Sequence, residues 1–213
     1  MSELLKKYSH IIWDWNGTLL DDVDIVISAM NHLLSKRNLP LLNVERYKNI
    51  FTFPVVDYYL ELGFDFETES FEKLAAEFIA EFSSKKHQFK LHSGTQEILN
   101  YFTENGKKQS VLSASQEKSL CETIENIGIS QYFLKIAGLD NHYAVSKVDR
   151  GKKLLEEINV NPKEAVLIGD TLHDFEVASE LGCDCILISN GHQSYERLTG
   201  CDAIILNTIS DLS

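Results

Sequence analysis

The chain has 213 residues, 44% of them apolar and only three proline. That suffices for one sizeable core, or a core plus a small insertion, with an ordered composition. Its 20 basic and 32 acidic residues give a formal charge of −12, which argues against a nucleic-acid surface, because phosphate backbones demand clustered Lys and Arg.

No apolar run approaches the ~20 residues that cross a bilayer, and residues 1–9 lack the apolar stretch of a secretion signal. The expectation is no membrane partner and a cytoplasmic location. The cysteines, Cys121, Cys183, Cys185 and Cys201, form no C-x-x-C pair. They read as small buried hydrophobes of a reducing compartment.

In chain order, the run from His10 to Trp13 predicts a buried strand that carries Asp14 to its carboxyl end, ahead of a Gly-containing turn. In open parallel sheets ligands bind off those ends. Gly17 allows close backbone approach, and Thr18 adds a hydroxyl for a phosphate oxygen. Residues 21–90 predict helices only: Val23 to Leu34, Val44 to Phe51, Val55 to Leu62 after Pro54, and Glu69 to Phe82. Asp21 and Asp22 read as caps of the first of these. An all-helical stretch behind a first strand predicts a separate cap, at 21–90, over a core of 1–20 and 91–213.

From His92 helices and strands alternate. Helices are expected at Gly94 to Asn105, Gln116 to Ile127, Asp149 to Ile158 and Leu172 to Leu181. Strands are expected at Gln109 to Ser113, Phe133 to Ala137, Ala165 to Gly169, Cys183 to Ile188 and Ala203 to Leu206. This order predicts an α/β fold, a Rossmann-like parallel sheet with helices on both faces.

Three further stretches carry chemistry. Val166 to Gly169 is an apolar strand ending at Asp170, with Asp174 one helical turn on. With Asp14 these make a cluster of hard oxygen ligands that favours Mg²⁺ over Ca²⁺; Asp174 alone also reads as a first-turn helix charge. Ser113 and Ala114 end another strand before a helix start, where free N–H groups attract phosphate, with Ser115 as the cap. Lys147, with Lys152 in reserve, is the cation expected beside a dianionic phosphoryl group.

Taken in order, Asp14-Trp15-Asn16-Gly17-Thr18-Leu19, Ser113, Lys147, and Gly169-Asp170 with Asp174 resemble the haloacid dehalogenase superfamily over nearly the whole chain. The helical insertion is similar to the small cap of its phosphoglycolate phosphatase-like and β-phosphoglucomutase-like members. Lys90 to Gly94 resembles the return from cap to core, and Glu180-Leu181-Gly182 and Asn190-Gly191-His192 fit the family's ending. The resemblance implies a Mg²⁺-dependent phosphatase acting on a small phosphorylated metabolite through an aspartyl-phosphate on Asp14. It implies metal on Asp14, Asp170 and the main-chain carbonyl of Asn16, supported by Asp174. Thr18, Ser113 and Lys147 would hold the phosphoryl oxygens.

One position departs from the family's phosphatase pattern, which has Asp as general acid and base where this chain has Asn16. An amide delivers no proton. This disfavours a phosphomutase most, an alkyl phosphatase next, and hydrolysis of activated phosphates least. His173, Asp21 or Asp22 are the candidate substitutes. The alternative reading is a catalytically weak relative used as a phosphate-binding or regulatory module. A phosphonate hydrolase would need a cap lysine, and Lys36 and Lys48 read as surface residues. Thr52 to Tyr59 is the cap stretch expected to face the core, and the sequence carries no signal for oligomeric state.

Overall fold

The computed structural model describes residues 6–139 and 146–213. Six parallel strands make one sheet: β1 (His10–Trp13), β2 (Lys108–Gln116), β3 (Lys135–Leu139), β4 (Ala165–Gly169), β5 (Asp184–Ile188) and β6 (Ile204–Leu206), in the order β3-β2-β1-β4-β5-β6. The order reverses between β1 and β4, which is where open α/β sheets form their ligand crevice.

β1 and β4 are buried along their full length, as continuous apolar runs in a sheet covered on both faces require. Alternation splits their side chains. Ile11, Trp13, Val111, Val166 and Ile168 join one core cluster, and Ile12, Leu112 and Leu167 the other. The first face is covered by α5 (Thr95–Glu104) and α6 (Glu117–Ile127), through Leu99, Phe102 and Leu120. The second is covered by α7 (Lys147–Ile158) and α8 (Leu172–Leu181), through Leu154, Leu155, Val177 and Leu181. Gln109 is one of the polar residues of the interior. It accepts from Trp13 Nε1 at 3.0 Å and donates to the Leu99 carbonyl at 2.8 Å, so its burial is satisfied.

Between β1 and α5 the chain forms α1 (Val23–Lys36), α2 (Val44–Ile50), α3 (Val55–Glu61) and α4 (Phe71–Ser84). These share their own core, centred on Met30, Leu33, Leu34, Tyr47, Tyr58, Tyr59 and Leu74. Arg37 at the end of α1 bonds Glu69 and Glu77, tying α1 to α4. The chain leaves and re-enters the sheet through one bridge, Leu20 against Leu91, flanked by Asp21 N to Lys90 O at 2.9 Å and His92 N to Leu19 O at 3.0 Å.

Three local expectations are corrected. β2 runs on to Gln116 instead of stopping at Ser113, with an irregular register against β3 between Leu112 and Gln116. Such an irregularity re-aims side chains without ending the strand. Lys147 is the first residue of α7, not a loop residue before it, because Ser146 caps that helix through Asp149 N. Asp22 stands at the start of α1 but makes no side-chain cap bond; its carboxylate turns back to the loop after β1.

Candidate active site

The strand register assembles the site. Trp13 pairs with Ile168 of β4 and Val111 of β2, and Asp14 N extends the ladder to Ile168 O at 2.8 Å. Asp14 therefore stands level with the last residue of β4, with Asp170 and Ser113 one step beyond on either side. Asp174 follows on the first turn of α8, where Thr171 and Asp174 form a reciprocal capping box. Asp14, Asp170 and Asp174 are buried, with ligand oxygens all within 4.8 Å of one another. Lys147 Nζ lies 2.5 Å from Asp14 Oδ1 and 2.6 Å from Asp174 Oδ1. Lys152, by contrast, is exposed.

Burial, then the neighbouring carboxylates, raises the Asp14 pKa against the pull of Lys147. Burial also raises Asp170. Asp174 is held low despite burial, because Lys147 and Thr171 favour its charged form. Three buried carboxylates whose oxygens lie within 4.8 Å of one another form a hard donor set that fits one divalent cation of the Mg²⁺ type.

The loop after β1 is clamped from three sides. Gly17 has φ +75°, and a Cβ there would come within 2.4 Å of Asp170 Oδ2, so the position demands glycine twice over. His92, on the returning chain, lies 3.0 Å from the Gly17 carbonyl through Nε2. Asp22 accepts from Gly17 N at 2.9 Å and from Asn16 Nδ2 at 2.7 Å. Asn16 Oδ1 in turn accepts from Ser115 Oγ at 2.8 Å. Both ends of the Asn16 amide are thus committed.

Behind Asp22 sits His192. Its Nε2 is 3.4 Å from Asp22 Oδ1, its main-chain N donates to Asp170 Oδ2 at 2.6 Å, and its Nδ1 is 2.8 Å from the Tyr47 hydroxyl on α2. Burial opposes its charge, but the carboxylates around it, Asp22 first and then Asp170 and Asp14, together push its pKa up to about 9. The C-terminal end of α2 also meets the 190–197 segment through Lys48 to Asn190 O at 3.2 Å and Gln193 to Phe51 O at 3.0 Å.

Of the residues expected from sequence, Asp14, Asn16, Ser113, Ala114, Lys147 and Asp174 line one cavity of about 400 Å³ between sheet edge and helical segment. Two expectations are corrected. The Thr18 hydroxyl, fully buried, donates to Asp170 Oδ1 at 2.7 Å instead of facing the cavity. Ser115 binds the Asn16 amide and caps nothing. His173 lines the cavity stacked on Phe53, centroids 4.4 Å apart, and burial lowers its pKa; a neutral imidazole is a poor proton donor. Asp21 pairs with Lys90 at the rim, 2.9 Å away. Sequence reasoning noted the stretches that hold His92 and His192 but gave these residues no role in the site, and it passed over Tyr47. The available signal was Gly191-His192 after an apolar strand: a Cβ on Gly191 would fall 2.2 Å from Asp170 Oδ2.

Comparison with known proteins agrees with this fold. The tyrosine-protein kinase PtkA of Mycobacterium tuberculosis is 25% identical over 184 residues, covering 85% of this chain, which spans 62% of that relative's length. A phosphoglycolate phosphatase of Vibrio parahaemolyticus is 22% identical over 218 residues, 95% of this chain and 93% of its own. A haloacid dehalogenase-like hydrolase structure from Streptococcus pneumoniae superposes with TM-score 0.83 at 18% identity, covering 97% of both chains. The relatives named phosphoglycolate phosphatase fit that branch of the superfamily. With the haloacid dehalogenase-like hydrolase family model matching residues 11–188, the chain belongs to that family.

Proposed function

We propose that this chain is a Mg²⁺-dependent phosphatase that hydrolyses a small phosphorylated metabolite through an aspartyl-phosphate on Asp14. The observation that carries the reading is Asp14 at the floor of the cavity, gripped by Lys147 beside Asp170 and Asp174. Asp14, the main-chain carbonyl of Asn16 and Asp170 would hold the metal, with Asp174 behind them. Bound there, Mg²⁺ would neutralise phosphoryl oxygens and screen Asp14 from its neighbouring carboxylates.

The chain's own residues do the rest. Lys147 and Ser113 hold the phosphoryl group in line with Asp14, and the Ala114 region supplies main-chain donors. An Asp14 oxygen attacks phosphorus as the ester oxygen leaves with its electron pair. Water then displaces Asp14 and releases phosphate. Thr18 acts at one remove, by fixing Asp170. Residues 21–90 serve as a cap over a core of 1–20 and 91–213. A cytoplasmic setting suits the four free cysteines, and among the described residues no helix is long and apolar enough to cross a membrane.

Phosphate release from a metabolite panel with Mg²⁺, abolished by chelator and by Asp14→Asn, tests the proposal. Full turnover in chelator sinks the metal assignment, and full turnover in Asp14→Asn sinks the nucleophile. A second reading, a catalytically weak phosphate-binding module, is favoured by the committed amide of Asn16. It predicts phosphate binding without release in the same assay.

A further inference from the structure

The cavity does not end at the phosphoryl site. It continues between α1 and α4, where Val26, Met30, Phe71, Ala75, Phe78 and Ile79 line it. Within α4 only Leu74 is fully buried; Phe71, Ala75, Phe78 and Ile79 on its apolar face stay half-buried, toward the cavity. Tyr58 lines the same space, and its hydroxyl is buried without a partner among the described residues, as for a group that a ligand completes. About 400 Å³ lies in the ~300–1,000 Å³ range of pockets that enclose sizeable ligands. A two-carbon acid would leave most of it empty; beyond the phosphoryl site the lining is mainly apolar, and its lysine, Lys86, is engaged by Ser119 Oγ at 2.9 Å.

From this we infer that the substrate is an aryl phosphate monoester whose ring occupies the space between α1 and α4. The inference rests on the phosphatase reading and deepens it. Two independent features converge on the class. The apolar walls select a large apolar leaving group. Asn16, with both ends of its amide engaged by Asp22 and Ser115, selects a leaving group that needs no proton. A phenolate satisfies both conditions, a long-chain alkoxide only the first, and a short polar alkoxide neither. In the step itself, an Asp14 oxygen bonds to phosphorus, the bond from phosphorus to the aryl oxygen breaks, and the phenolate leaves with the pair and takes its proton from solvent. Water then cleaves the acyl phosphate, giving inorganic phosphate and the Asp14 carboxylate.

The test compares kcat/KM of the Mg²⁺-loaded protein on 1-naphthyl phosphate, phenyl phosphate, decyl phosphate and 2-phosphoglycolate. Naphthyl phosphate should exceed phenyl phosphate about tenfold, through added apolar burial. It should exceed decyl phosphate and phosphoglycolate by about 10² or more, through leaving-group chemistry. Ala75→Trp, which fills the space, should depress naphthyl phosphate at least several-fold more than phenyl phosphate; equal depression overturns the assignment of the ring to this space. A preference for phosphoglycolate overturns the inference and leaves the phosphatase reading intact. A preference for decyl phosphate overturns the aryl class. If nothing is turned over, the phosphatase reading fails and calorimetric binding to the wild type decides. Tighter binding of naphthyl phosphate than of phosphoglycolate supports the aryl site, and equal binding overturns it.

Discussion

Asn16→Asp probes the position where this chain departs from the family's phosphatase pattern. Asn16 Nδ2 sits 2.7 Å from Asp22 Oδ2, so the variant sets two carboxyl groups in direct contact. Two unit charges ~3 Å apart at an effective dielectric of ~20 repel by roughly 5–6 kcal/mol, about four pH units. The pair therefore keeps one proton near neutral pH, even with His192 on the far side of Asp22 pulling the other way. The variant thus gains a neutral acid at residue 16, with Ser115 still donating to it. A positioned general acid contributes ~10²–10⁴-fold where the leaving group is basic. Asn16→Asp should raise kcat/KM on a simple alkyl phosphate by about that factor and on phenyl phosphate by less than about tenfold. The alkyl gain should fade on the alkaline side as the shared proton is lost. Steady-state kinetics on both substrates across pH decide it. Equal gains on the two, or none on either, would refute the reasoning that residue 16 governs leaving-group protonation.

Three other perturbations follow from the same geometry. Lys147→Ala leaves Asp14 and Asp174 buried without their cation, so metal-free stability should fall by about 3–5 kcal/mol, read by denaturant melts in chelator; an unchanged midpoint contradicts the ion triad. Gly17→Ala combines positive φ with a Cβ 2.4 Å from Asp170, and should lose activity together with at least ~1–2 kcal/mol of stability. His10 lies in β1 on Ser110 at 2.9 Å, and burial pushes its pKa down to about 4. The unfolded chain therefore binds the extra proton first, and stability is lost as pH falls from about 6.5 towards 4, by up to ~3 kcal/mol. Chemical denaturation across that window should show the loss, and His10→Gln should flatten it.

The parts legible in the sequence were those fixed by local pattern. Asp14 and Asp170 end continuous apolar runs, and such runs are buried parallel strands whose carboxyl ends share one edge. Lys147 stands beside an expected helix start at the same edge, though the helix begins two residues earlier than the pattern suggests, and the helical rhythm of 23–84 is unbroken by strand signals. What the sequence withheld were choices among polar partners. Thr18 lies in the expected loop, yet its hydroxyl goes to Asp170 because the fold brings that carboxylate within 2.7 Å. Asp22 stands at a helix start but serves Asn16 Nδ2 and Gly17 N in the loop after β1. His192 and Tyr47, separated by 145 positions, meet only because α2 packs on the loop after β5. No periodicity records such a meeting.

The proposed chemistry turns on covalent phosphorylation of Asp14. The most direct test incubates the Mg²⁺-loaded protein with an aryl phosphate, quenches in acid, and weighs the intact chain and its peptides by mass spectrometry. A single added phosphoryl group should appear on the peptide holding Asp14 and be absent in Asp14→Asn. Phosphate released with the wild-type chain never modified, or a phosphoryl group on another residue, would contradict it.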